Sequence, residues 1–131
     1  MSLEASTFAD LMLASAGSCT PSNLAPLSAA MLSYLSTGTP KAGTVTIAPC
    51  AGAGWLALAA ASVSSPATAA GFKTAIQTEL AGTTVTIPPT TRPASWNSGA
   101  EFPDLTKEKD AKGVWTKICQ YIIDYVSTEL T

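Results

Sequence analysis

The stretch that decides the fold is DLTKEKDAKGVWTKICQYIIDYVSTEL, which occupies residues 104–130. Large apolar side chains recur in it every three or four residues, which is the spacing of one helix face. We therefore predict an amphipathic helix that begins at Asp104 as N-cap and ends near Leu130. Its apolar band is wide enough for the central helix of a core, with some apolar surface left for a neighbour. The band consists of Ala111, Trp115, Ile118, Ile122 and Val126, widened by Val114, Tyr121 and Tyr125.

Four more helices are predicted upstream, at residues 3–16, 21 or 24 to 36, 55–62 and 66–80. The first has Ser2 as its N-cap and Gly17 just beyond its end, and the last begins with Ser65 and Pro66 as N-cap and first residue. Three of these helices have an apolar face that we expect to point inward. The faces are Leu3, Phe8, Leu11 and Met12; Leu24, Leu27, Met31, Tyr34 and Leu35; and Ala69, Phe72, Ile76 and Leu80.

When the sequence is aligned with itself at an offset of 40 residues, two pairs of similar segments coincide. PLSAA at 26–30 matches PATAA at 66–70, and TVTI occurs at both 44–47 and 84–87. Such a repeat indicates two related helix–strand units, at about residues 20–54 and 60–95. The alternation in TVTI predicts a short strand in each unit. The two strands either pair with each other or add to the sheet edge of a neighbouring subunit.

The segment 88–103 is rich in proline, which fixes φ and disfavours helix. We expect an extended, semi-rigid arm. Its two large aromatic side chains, Trp96 and Phe102, indicate that the arm either wraps its own domain or lies on a partner. These elements together predict one domain over residues 1–131. Its fold class is mainly α with two short β-strands, a helix–strand near-repeat and a proline-rich arm.

Charge is scarce and unevenly placed in this chain of 131 residues. Only 12% of the residues are charged, and ten of them lie between Glu101 and Glu129. A monomer normally carries a mixed charged surface, whereas the cores of protein–protein interfaces are depleted in charge. The first 100 residues therefore predict either a surface made for neighbours or a monomer solvated by Ser and Thr. Their charged residues are Glu4, Asp10, Lys41, Lys73, Glu79 and Arg92.

The residue types that catalysis needs are missing or poorly placed. There is no histidine, so a Ser or Cys nucleophile lacks its usual base. The close acid pairs, Glu101 with Asp104 and Glu108 with Asp110, fit capping and dipole roles at the start of the last helix. We expect a non-enzymatic protein with no cofactor, metal or small-molecule substrate. We also expect no direct nucleic-acid binding, because the basic residues are few and scattered, and no membrane span, because no apolar run is long enough.

The three cysteines, Cys19, Cys50 and Cys119, are far apart in the sequence. They form no CxxC pair, and no histidine is present to complete a zinc site. Two interpretations remain open. Either all three are free thiols in a reducing compartment, or one disulfide forms, within the chain or to a neighbouring subunit, and locks an assembly after release from the cell.

Nine apolar or aromatic side chains are candidates for contact with a partner. The strand residues would present sheet edges, two tryptophans flank segments rich in Gly or Pro, and two tyrosines widen the last helix. Trp115 is assigned to the core instead, because it lies in the helical stripe. The candidates are Val45, Ile47, Trp55, Val85, Ile87, Trp96, Phe102, Tyr121 and Tyr125.

Several segments give the chain a resemblance to a known class of proteins. They are PLSAA at 26–30, TVTIAP at 44–49, TVTIPP at 84–89 and WTKICQYIIDYV at 115–126. Over most of its length the chain resembles the small structural proteins of tailed bacteriophages. The resemblance implies non-enzymatic assembly in a head, neck, tail or baseplate, with copies of itself and other virion proteins as partners. It implies synthesis in the host cytoplasm and a final place in the virion. The alternative is a small secreted or surface-attached adhesion module.

Overall fold

The computed structural model describes residues 2–19, 25–47, 69–105 and 107–131, with the side chains of 69–72 excepted. Within these ranges the chain forms four helices and a three-stranded antiparallel sheet, which confirms a small, mainly α fold. The elements in chain order are α1 (Ala5–Ala16), α2 (Ala25–Leu35), β1 (Thr44–Thr46), α3 (Ala69–Glu79), β2 (Thr84–Ile87), β3 (Thr90–Pro93) and α4 (Ala111–Val126).

Helix α4 lies at the centre of the core, and most of its predicted apolar stripe is buried. The buried residues are Trp115, Ile118, Cys119, Tyr121, Ile122, Tyr125 and Val126. Trp115 is thus confirmed as a core residue. Ala111 and Val114 lie at the start of the helix, where the first is exposed and the second half-buried. Each large apolar side chain that is fully buried contributes about 1.5–3 kcal/mol before entropy is counted.

The start of α4 differs from the sequence-based expectation. The helix begins at Ala111 and not just after Asp104, because Asp110 provides the N-cap. Asp110 is in an extended conformation, and its carboxylate accepts a hydrogen bond from the Gly113 amide at 2.7 Å. Such a bond satisfies one of the free amides at a helix start. Several acidic residues precede the helix, and periodicity alone does not say which of them is the cap.

Helix α1 packs against α4 and α2 and buries Phe8, Ala9 and Met12. The expected inward position of Leu11 is wrong, since this side chain is 37% exposed. Residues 8, 9 and 12 define a face from which position 11 is turned away by more than a quarter of a turn. The helix begins at Ala5, later than expected, and Glu4 occupies the N-cap position without a side-chain cap, so Ser2 does not have the predicted role.

Helices α2 and α3 complete the helical part of the core. The predicted inward residues Leu27, Met31, Tyr34 and Leu35 of α2 are buried. Ile76 in α3 and Leu80 just after it are buried as well, together with Ala75. The Phe8 ring of α1 stacks on Tyr34 at 4.6 Å between ring centroids. Leu24, the side chains of Ala69 and Phe72, and the predicted helix at 55–62 lie outside what the structure describes.

The two predicted strands are present and pair with each other. Strand β1 pairs antiparallel with β2, with Val45 opposite Val85 and Thr44 opposite Thr86. The sheet also contains a third strand, β3, which lies in the segment 88–103 where the sequence predicts an extended arm and no strand. The chain turns at Pro88–Pro89, which are joined by a cis peptide bond, and returns along β2. Pro93 ends β3 at the outside of the sheet, where a missing amide is tolerated.

Gly43 leads into β1 and permits the strand to approach β2 closely. Its φ is +60°, a left-handed conformation that residues with a Cβ rarely adopt. A Cβ at this position would also collide with the Thr86 carbonyl oxygen and lie 2.8 Å from Ile87 Cγ1. The glycine therefore satisfies both the backbone conformation and the close approach.

We expect Gly43→Ala to lower the free energy of unfolding by about 1–2 kcal/mol or more, because the left-handed conformation and the collision act together. Denaturant titration measures this change. Gly99→Ala is the matched control, since a Cβ there would meet only Asn97 Oδ1, at 3.5 Å. Equal stabilities for the two variants would contradict this account of β1.

Candidate interaction surfaces

The proline-rich arm lies on its own domain, which is one of the two positions that the sequence allows; the other is a position on a partner. The Trp96 ring lies 5.9 Å from the Tyr125 ring, and the Phe102 ring lies 5.1 Å from the Tyr121 ring. Trp96 Nε1 donates a hydrogen bond to the Leu80 carbonyl at 3.2 Å. These contacts place the two arm aromatics over the apolar band of α4.

Three of the predicted partner contacts lie inside the chain's own core. Val85 is 1% exposed, Tyr121 is 2% exposed, and Tyr125 is also buried. Sheet pairing covers Val85, and the arm and the rest of the core cover the two tyrosines. Their burial assigns these side chains to the core of this chain instead of to a partner-facing surface.

The other candidates are more accessible. Val45, Ile47, Trp96 and Phe102 are half-buried and pack against the core. Ile87 is 45% exposed at the end of β2, beside the turn. Trp55 lies outside the residues that the structure describes. Ile87 and the β1 residues therefore keep surface that a partner can reach.

Glu129 holds three separate parts of the chain together. Its carboxylate accepts two hydrogen bonds from the Arg92 guanidinium, at 2.7 and 3.0 Å, and one from the Ser95 amide at 2.9 Å. Its backbone carbonyl accepts a bond from the Lys41 amide at 2.9 Å. The end of the chain adds a pair of backbone bonds between Thr39 and Thr131. The C-terminal segment thereby joins β3 to the residues before β1.

The ion pair with Arg92 is the main reason why the pKa of Glu129 lies below its ordinary value of 4.5. Burial opposes this shift, and the Ser95 amide reinforces it. A carboxylate whose pKa is lowered by folding stabilises the protein above its ordinary pKa, and the stabilisation is lost as the pH falls through the lowered value. The Arg92 side chain is 41% exposed, so solvent weakens the interaction.

Glu129→Gln should lower the melting temperature near neutral pH, because the ion pair is lost. The difference from the unmodified protein should shrink as the pH falls below 4.5 and through the lowered pKa of Glu129, because Glu129 itself becomes protonated. Thermal unfolding followed by circular dichroism across this range measures the effect. Glu101→Gln, at an exposed position, is the control. A difference that stays constant with pH would argue against a role for the Glu129 charge.

The few charges of the first 100 residues are partly engaged in contacts within the chain. Glu79 is buried, and the Ser28 hydroxyl lies 3.4 Å from its Oε2. Arg92 is paired with Glu129, and Asp10 forms an ion pair with Lys112 of α4. Half of the six charged side chains before residue 100 are therefore buried or engaged in ion pairs within the chain. Glu79 is withdrawn from the surface, whereas Asp10 and Arg92, whose side chains are 70% and 41% exposed, remain there with their charges paired.

The acids near the start of α4 have structural contacts. Glu108 forms an ion pair with Lys117 at 2.8 Å, while Asp110 caps the helix. Among the described residues, no group of three His, Cys, Asp or Glu side chains is arranged to hold a metal ion. None of the helices described has the length and apolar character needed to cross a membrane.

The two cysteines within the described ranges are free thiols. Cys19 is half-buried, and its Sγ lies 3.4 Å from the Ser15 carbonyl oxygen. Cys119 is fully buried in α4, and this burial raises the pKa of its thiol. A protonated, buried thiol reacts slowly. Cys50 lies outside the described residues, so whether it forms a disulfide stays a prediction.

Two buried tyrosines differ in the hydrogen bonding of their hydroxyl groups. Tyr34 Oη donates to the Glu4 carbonyl at 3.1 Å and accepts from the Glu4 amide at 2.8 Å. The Tyr121 hydroxyl is buried without a hydrogen-bond partner among the described residues. Burial raises the pKa of Tyr121, and the Gln77 side chain opposes the shift without reaching hydrogen-bonding geometry.

The two hydroxyls should therefore respond differently to removal. Tyr34→Phe leaves the Glu4 amide without its partner, while the Glu4 carbonyl keeps the bond from the Phe8 amide, and the change should cost about 1–2 kcal/mol of stability. Tyr121→Phe removes a buried group that lacks a partner and should leave stability unchanged or raise it. Denaturant titration of both variants tests the pair. A large loss in Tyr121→Phe would indicate that its hydroxyl has a partner after all.

No family model, curated protein or solved structure matches the chain.

Proposed function

We propose that this protein is a non-enzymatic structural subunit of a tailed-phage virion, present in multiple copies. The observation that carries the proposal is the shortage of charge on the outer surface of the described residues before position 100. Glu79, Arg92 and Asp10 are buried or paired within the chain. The exposed residues of this part are mainly small and neutral. Such a surface fits contact with other subunits better than contact with water alone.

The type of exposed side chain supports the same conclusion. The outer face of α2 presents Ala29 and Ser33, and the sheet presents Thr44, Thr46 and Thr90. Short side chains lose little rotamer entropy when a partner covers them. They also carry no charge that would have to be desolvated. Covering this surface is therefore inexpensive, as repeated contact between many copies requires.

The partners we propose are copies of the same chain and other virion proteins, in a head, neck, tail or baseplate. The resemblance to small phage structural proteins in the segments 26–30, 44–49, 84–89 and 115–126 supports this choice. In this function the protein acts by burying neutral surface, and no covalent chemistry is involved. The place of action is the virion, after synthesis in the host cytoplasm.

The experiment that tests the proposal is mass spectrometry of particles purified on a density gradient from the organism that encodes the chain. We expect the chain to co-purify with the particles in a fixed ratio to the other virion proteins. Recovery of the chain only from culture medium or a cell surface, with none in particles, would overturn the proposal. That result would favour the adhesion module instead.

Matched variants extend the same experiment. Ala29→Lys with Ser33→Lys adds two charges to the outer face of α2, a helix without charged residues, where both positions are exposed. Uncompensated charges buried between subunits cost several kcal/mol, so incorporation into particles should fall by about tenfold or more. The control, Ala111→Lys with Gln120→Lys, adds the same charges to exposed positions of α4. It should be incorporated like the unmodified chain.

A further inference from the structure

We propose that strand β1 is a self-pairing edge, at which a second copy of this chain adds its own β1 in antiparallel orientation. Val45 would lie opposite Val45 of the second copy, and Thr44 opposite Thr46 of the second copy. The two three-stranded sheets would then form one six-stranded sheet around a two-fold axis. This inference rests on the proposed function, because it names one of the contacts between copies.

The main support is that the chain already contains this pairing. Strands β1 and β2 have the same sequence, TVT, at 44–46 and 84–86. They pair antiparallel, with Val45 opposite Val85 and Thr44 opposite Thr86. Two TVT segments are therefore complementary to each other in this orientation. A second β1 would present to the free side of β1 the same sequence that β2 presents on the other side.

The two edges of the sheet differ in how they are protected. The β3 edge ends in Pro93 and continues into Ser95, which is bound on both its amide and its carbonyl oxygen by Glu129 and Thr128. Proline and a covering segment are common protections of an edge strand. Strand β1 contains neither proline nor charge, and within the described residues it pairs only with β2. Its remaining backbone groups point away from β2, to a side where no described residue pairs with them, because a strand directs alternate groups to each side.

The side chains of β1 are compatible with the pairing on both faces of the sheet. Val45 is half-buried and packs against the core, whereas Thr44 and Thr46 are exposed. A two-fold axis perpendicular to the sheet keeps both valines on the core side and all four threonines on the exposed side. The sheet already holds one such threonine pair, since the hydroxyls of Thr86 and Thr91 lie 3.1 Å apart.

Three paired residues form a weak contact by themselves, since an isolated short pairing is only marginally stable in water. Its strength would come from repetition, because subunits held by other contacts pair their edges at a high effective concentration. We therefore expect reversible dimers of the isolated protein at high concentration, and stable pairing only within an assembly.

A charge exchange at the edge tests this pairing. In Thr44→Lys with Thr46→Lys, each lysine would lie opposite a lysine of the second copy. In Thr44→Glu with Thr46→Glu, each glutamate would lie opposite a glutamate. Each variant alone should dimerise about tenfold more weakly than the unmodified chain, since it places two like-charged pairs across the strands. An equimolar mixture should recover dimers, because lysine then lies opposite glutamate.

Sedimentation velocity over micromolar to millimolar protein measures these equilibria, and circular dichroism checks that each variant is folded. Thr90→Lys with Ser98→Lys adds the same charge at exposed positions away from β1 and should dimerise like the unmodified chain. Residue-level hydrogen exchange on the unmodified protein gives a second measurement that does not depend on folding of the variants. Protection of the amides in Thr44–Thr46 should increase with protein concentration.

A protein that stays monomeric to millimolar concentration, or dimers that the charge variants leave unchanged, would overturn the pairing. So would β1 amides whose exchange does not depend on concentration. None of these results would affect the proposed function, which is tested by the presence of the chain in purified particles. Absence from particles together with edge-dependent dimers would instead remove the function and leave the pairing in place.

Discussion

The structure depends on the burial of one helix, α4, on several sides. Ile118 and Ile122 have no exposed surface, and Trp115 and Tyr121 are nearly as well covered. Helix α1 packs along α4, and Trp96 and Phe102 of the arm cover its tyrosines. An apolar band of this width cannot remain in contact with water, so the other elements are placed by the need to cover it. Glu129, shortly after α4, then fastens β3 and the residues before β1 to the end of the helix.

The wide band also explains why two of the predicted partner-facing side chains, Tyr121 and Tyr125, are buried in the core of their own chain. Periodicity shows which side chains of a helix are apolar, but it does not show what covers them. Tyr121 and Tyr125 are covered by the proline-rich arm of the same chain. The sequence alone is compatible with an arm on its own domain or on a partner. The choice depends on contacts between residues 19 and 29 positions apart, Phe102 with Tyr121 and Trp96 with Tyr125, and local patterns carry no information about such contacts.

The difference between local sequence patterns and contacts between distant segments also separates the correct from the incorrect parts of the fold prediction. The buried stripe of α4 and the two TVT strands follow from short-range spacing, and both are present. Strand β3 was not predicted, because TTRP has little alternation and becomes a strand only by pairing with β2. The start of α4 was misplaced because the choice between Asp104 and Asp110 depends on cap geometry. The shortage of charge that marks the candidate surface is visible in the sequence. The ion pairs of Asp10 with Lys112 and of Arg92 with Glu129 could be recognised only from the folded structure.

The distribution of charge and the design of the sheet point to the same property of the molecule. Charged side chains are concentrated after residue 100, and two of them, Lys112 and Glu129, neutralise charges of the earlier part. These ion pairs partly neutralise the few charges of the earlier part, while the side chains of Asp10 and Arg92 stay partly exposed. The sheet is similarly uneven, since its β3 edge is protected and its β1 edge carries only neutral residues. A protein under selection only to stay monomeric would protect both edges and distribute its charges. The arrangement is better explained if the neutral surface and the open edge are covered by other subunits.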